Sequence, residues 1–207
     1  MIIDPEIIRS QLRNLEADSP QTCPPLPGMQ PERSVPAAVM MPLILDGNTW
    51  KFLFIKRTHH LYDRHSGQIA FPGGRADPND ASLQSTALRE AQEEIGINPT
   101  DVEILGKSCS ITTVTDYEVS PFVSLIPWPY ELTLSAQEVE KTIRIPIDWL
   151  VDPDNHQVRS WQSPFSPGTE LPVVFFNEFA GEILWGVTAQ IVVDFLDLIQ
   201  NKPLSNS

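Results

Sequence analysis

Cysteine and positive charge are both scarce in this 207-residue chain. Two cysteines, Cys23 and Cys109, are too few for a disulfide scaffold and lack metal-ligand spacing, so reduced thiols are expected. Lysine and arginine total 14 against 27 acids, a net charge of −13. That balance argues against nucleic acid or an anionic membrane as a partner, because both need basic surface. Apolar runs are short, and the longest, Ala37–Leu45, is interrupted by Pro42. None approaches the roughly 20 residues of a membrane helix. The first residues, Met1 to Glu6, carry no basic and apolar leader, and the chain reads as cytoplasmic.

Proline, by contrast, is abundant: there are 20, six of them from Pro20 to Pro36. Residues 1–35 are therefore expected to form a short amphipathic helix (5–17) and a proline-rich arm, 36–200 the main domain, and 201–207 a tail. The scarce basic residues are also clustered. From Lys51 to Arg75 lie five of the 14 cations, three of the four histidines and a single acid, Asp63. A small anion could bind there, although a solvated strand edge explains the same pattern.

Hydrophobic patterning and turn residues predict strands at 37–45, 50–56, 67–71, 102–113, 119–126, 143–149, 171–176 and 182–185. Helices are predicted at about 80–95, with Asp80 as N-cap and Gly96 just past the end, and at about 188–200. This irregular mixture indicates an α/β fold with a mixed sheet and helices on both faces.

The segment from Gly73 to Ile97 carries the chemistry. At about 100° per residue, Glu90, Glu93 and Glu94 share one helix face, and Leu88, Ala91 and Ile95 fall on the other. Three carboxylates so close repel one another, and a hard divalent cation reverses that sign. A merely solvated acidic face is the plain alternative. The glycine pair Gly73-Gly74 just upstream lets backbone approach a metal or a phosphate closely.

Glycine loop, acid, then Arg89-Glu90-Ala91-Gln92-Glu93-Glu94-Ile95-Gly96-Ile97 together resemble the Nudix box. The first acid is Asp80 rather than glutamate, one extra residue separates it from Arg89, and Ala91 holds an aliphatic position. Upstream, Leu53-Phe54-Ile55-Lys56-Arg57-Thr58 and Arg64 to Gly74, ending Phe71-Pro72-Gly73-Gly74, look like the signature of coenzyme A diphosphatases within that family, with one residue inserted between Thr58 and Gly67. Downstream, Val119-Ser120-Pro121-Phe122-Val123, the Glu138-Val139-Glu140 stretch and Leu184-Trp185-Gly186-Val187-Thr188-Ala189 continue the likeness, over about residues 36–200.

The resemblance implies a Nudix α/β/α sandwich. It implies Mg²⁺ or Mn²⁺ held by Glu90, Glu93, Glu94 and the Gly74 backbone, and a diphosphate held by Arg57, Arg64 and Gly73. Arg89 would orient a helix carboxylate, and Glu93 or Glu140 would serve the attacking water. The substrate would be a small nucleotide diphosphate, coenzyme A or a derivative giving 3′,5′-ADP and a 4′-phosphopantetheine compound. ADP-ribose or another nucleotide, a non-catalytic nucleotide-binding module and a homodimer stay open.

Overall fold

Strand β1 (Val35–Asp46) alternates its side chains between two separate cores. Ala37, Met41 and Leu43 enter one, Ala38, Met40 and Ile44 the other. Period-two alternation with both faces apolar is what a central strand covered on both sides requires. β1 pairs antiparallel with β2 (Thr49–Arg57) through a turn at Gly47, whose φ is 65°, and parallel with β7 (Tyr117–Leu125). The sheet is mixed, as expected. The computed structural model describes residues 3–18, 34–59, 66–162 and 170–200.

Around these strands the main sheet adds β3 (Ile69–Ala70), β4 (Gly73–Arg75), β5 (Glu103–Lys107), β6 (Ile111–Thr112) and β8 (Val139–Pro146). A second antiparallel sheet holds β9 (His156–Gln162), β10 (Glu170–Phe179) and β11 (Glu182–Trp185). Helix α2 (Leu83–Ile95) covers one face of the main sheet through Ala87, Ala91 and Ile95. On the other face pack α1 (Pro5–Asp18) through Ile8 and Leu12, α3 (Ile147–Leu150), α4 (Gly186–Ile199) through Ile191 and Phe195, and the small sheet through Val174, Phe176 and Leu184. This is the expected layered α/β fold.

Several expectations change. Helix α2 begins at Leu83 rather than Asp80, because Ser82 and Ser85 form a reciprocal hydroxyl cap. The run 102–113 breaks into β5 and β6, and β9 has no counterpart among the predicted strands. Cys109 is disulfide-bonded, which corrects the expectation of a reduced thiol there. Most of the proline-rich arm, Arg64 and the tail lie outside the described residues. Among the described residues no helix is long and apolar enough to cross a membrane.

Phe71 anchors what becomes the site. It stacks on Phe54 at 4.6 Å and meets Phe52 edge-on at 5.5 Å, 2% exposed. Burial of such a ring contributes roughly 2–3 kcal/mol. It pins the chain just before Gly73, where Met40 N donates to Pro72 O at 2.8 Å and β4 pairs with Ala37–Val39 of β1.

Candidate active site

The site forms where the glycine turn meets the acidic helix. Gly73 N donates to Glu94 Oε2 at 2.9 Å. Gly74 faces Glu90 so closely that a Cβ there would stand 2.6 Å from its carboxylate carbon. At Gly73 a Cβ would meet the backbone oxygen of Ala38 at 2.4 Å, with φ at 156°. A side chain is therefore excluded at Gly73 by backbone, whereas at Gly74 it would displace only the Glu90 carboxylate.

That difference sets an expectation for Gly74→Ala. The obstructed atoms end a flexible side chain, so Glu90 can swing aside and the melting midpoint should stay near wild type. Turnover should drop by about tenfold or more, since small misplacements of reacting groups are costly. Steady-state rates beside a thermal melt check this; unchanged turnover would show that the seat of Glu90 against the turn is immaterial.

Glu94 is 2% exposed, and burial pushes its carboxyl up to about 8 despite the Gly73 bond and the nearby Arg57. Burial also raises Glu90, against the pull of Arg89. Two adjacent carboxylates driven toward their neutral forms are a donor set that a cation would recharge. Arg57, at the end of β2, places Nη1 3.7 Å from Glu94 Oε1.

Glu93 behaves differently. Its side chain is 57% exposed and turns onto Arg89, at 3.1 Å. Thus the three helix glutamates do not converge equally, and among the described residues no three acidic, histidine or cysteine groups are already gathered to hold a metal. Glu90 and Glu94 still fit a hard cation such as Mg²⁺, which is commonly held by one or two carboxylates and completed by water and substrate phosphate.

Arg89 commits all five of its N–H donors. Nε and Nη2 grip the two oxygens of Asp80 at 3.0 Å each, Nη1 reaches Glu90 at 2.8 Å and Glu93 at 3.1 Å, and Nη2 also meets Arg75 O at 3.2 Å. It has no donor left for a substrate and acts as an organiser of the acidic helix. Asp80 also accepts from Thr86 Oγ1 and Asp77 N, and the Arg89 bonds hold its carboxyl well below the usual range. Asp80 is therefore not a helix cap. It is the far end of the Arg89 clamp.

Glu138 is the acid that sequence reasoning missed. The segment entering β8 carries it alongside the pair: Ser135 N donates to Glu94 O at 2.9 Å and Thr58 N, next to Arg57, donates to Glu138 O at 2.9 Å, and the charge of Glu138 adds to the upward push on both Glu90 and Glu94. Glu140 lies elsewhere. The β2–β8 register shifts so that Lys56 pairs with Lys141 and Arg57 with Val139, leaving Glu140 as the extra residue of a bulge. Its carboxylate meets Lys56 at 3.3 Å, beside Glu182. Period-two counting along β8 could not reveal that bulge; the acid at Glu138, in the same short stretch, was the available signal.

Comparison with known proteins gives the family of the chain. A family model described as NUDIX domain matches residues 35–166. A Yersinia enterocolitica protein described as "Uncharacterized Nudix hydrolase NudL" is 33% identical over 168 residues, covering 81% of this chain and 83% of that protein. A Yersinia pestis protein of the same description is 35% identical over 160 residues, covering 75% of each. A crystal structure of a MutT/nudix family protein from Enterococcus faecalis is 17% identical with a TM-score of 0.49, over 93% of this chain and 72% of that one. With the match spanning β1 to β9, and the glycine turn and acidic helix within it, the chain belongs to the Nudix family.

Proposed function

We propose that this Nudix hydrolase, acting on a nucleoside diphosphate derivative, takes coenzyme A or a close derivative and yields 3′,5′-ADP and a 4′-phosphopantetheine compound. The observation that carries the hydrolytic reading is the pair Glu90 and Glu94, the first half-buried and the second buried, packed against Gly73-Gly74 and both raised toward neutrality. The choice of coenzyme A is supported by the run Gly67 to Gly74, and by Arg57 beside that turn.

Glu90 and Glu94, with the Gly74 backbone, would hold Mg²⁺ or Mn²⁺. Bound there, a divalent cation supplies neutralisation of the diphosphate and acidifies a water. Arg57 and Arg64 would receive phosphate oxygens, a geometry that guanidinium suits. Gly73 is not assigned to the substrate, since its N–H is held by Glu94 and the place of its absent Cβ lies against Ala38 of β1. Glu138 faces the pair and would orient or deprotonate the attacking water. Glu93, exposed and steered by Arg89, is the second candidate for that role. Glu140 is not assigned to it, since its carboxylate is turned to Lys56.

The test is a panel of coenzyme A, ADP-ribose and a dinucleoside polyphosphate, each with Mg²⁺ or Mn²⁺, with products separated by chromatography. Coenzyme A should be cut fastest, to 3′,5′-ADP. Faster cutting of ADP-ribose would move the substrate assignment. No cutting of any would favour a binding module instead.

A further inference from the structure

Glu138 is exposed, and its carboxylate has no hydrogen-bond or ion-pair partner among the described residues. Its place opposite Glu90 and Glu94 is therefore set by its backbone, which is held from two directions. On one side, Ser135 N donates to Glu94 O at 2.9 Å and Thr133 N to Ile95 O at 3.1 Å, tying the segment to the end of α2. Within it, Glu138 N and Val139 N both donate to Ser135 O, at 3.0 and 2.8 Å. On the other side stands Thr58, just past β2. Its Oγ1 donates to Gln137 O at 2.6 Å and its N donates to Glu138 O at 2.9 Å.

Thr58 also follows Arg57, whose guanidinium lies at Glu94. The end of β2 thus sets two things at once: a cation against the buried glutamate through one side chain, and the carrier of Glu138 through the next. We infer that Thr58 is a positioning residue, whose hydroxyl holds Glu138 across from the carboxylate pair; this rests on the hydrolase reading above. The bond spans 79 positions in sequence and lies near the surface. Without it Gln137 O can turn to water, so the fold loses little while the placement of an acid on a long side chain is loosened.

Thr58→Val keeps the shape and removes the donor; Thr58→Ser keeps the donor. In the valine variant kcat on the best diphosphate of the panel should fall about tenfold with KM within about twofold, and the serine variant should recover most of it. Amide exchange of Glu138 and Val139 should quicken in the valine variant and return in the serine variant, with the core strands unchanged. The inference is overturned by an unaltered kcat in Thr58→Val, by a change confined to KM, or by a serine variant as impaired as valine. Should the wild-type chain cut no diphosphate, the hydrolase reading fails, but exchange still decides whether the clamp exists: unaltered exchange in the valine variant removes it.

Discussion

Glu94→Gln should lose metal-dependent turnover by roughly 100-fold or more, the scale of removing one strong electrostatic contact at a reacting group. The chain should stay folded. The amide keeps an oxygen for Gly73 N and nearly the same volume, and it removes the cost of keeping a carboxyl protonated above its ordinary range at a site 2% exposed. Steady-state rates with Mg²⁺ or Mn²⁺, circular dichroism and a thermal melt report both halves. A fully active variant would end the assignment of Glu94. An unfolded one would instead place Glu94 among the structural residues, a role its neutral burial does not suggest.

Metal-free protein should become less stable as pH rises from about 4.5 to about 8. In the fold Glu94 keeps its proton until about 8, while an unfolded glutamate releases it near 4.5. Between those values the folded chain binds more protons than the unfolded chain, so raising the pH favours unfolding, and above about 8 the effect levels off. Asp194, buried in α4 and pushed up to about 6, adds a slope of the same sign in the lower part of that window. Asp80 acts oppositely and in a separate range. Its carboxyl is held low by Arg89, so its contribution is present above its ordinary value of 3.8 and fades only in stronger acid.

The full Glu94 span corresponds to a few kcal/mol, and each kcal/mol moves the midpoint by roughly 2–4 °C in a chain of this size. Saturating Mn²⁺ should oppose the fall, most strongly near pH 8, because a cation binds ionised carboxylates and stabilises only the state that holds it. Thermal midpoints across pH, with EDTA or with Mn²⁺, check the sign. Glu94→Gln should lose most of the metal-free slope above pH 6. A slope that rises with pH, or one indifferent to the substitution, would refute the burial of Glu94 as its cause.

Much of the fold was legible because local chemistry and tertiary packing agree. The β1–β2 hairpin, the glycine cap at Gly96 and the apolar face of α2 lie where their patterns placed them. Strand β9 was not legible. Its residues are mostly exposed and carry no apolar alternation, so pairing with β10 alone makes them a strand. At the start of α2 two local signals competed. Asp80 is a good cap residue, but Ser82 and Ser85 cap each other's backbone, and Asp80 is drawn instead to an arginine nine positions on. Cys109 shows the same limit, since a count of two cysteines says nothing about whether either is bonded.

The acidic site divides in the same way. Residue type and helical spacing by themselves determined that Glu90, Glu93 and Glu94 lie within one turn and a half of each other, behind the glycine pair Gly73-Gly74. Only the tertiary structure decided that they differ: Glu94 sinks against Gly73 and holds its proton, Glu90 sits on Gly74, and Glu93 turns outward to Arg89. It also decided that Glu140 turns to Lys56 at a one-residue bulge in β8, while Glu138 is held by Thr58 beside Arg57 and Glu94. The reason is that side-chain spacing along one element follows from its own geometry, whereas burial and register depend on what another element, far away in sequence, brings against it.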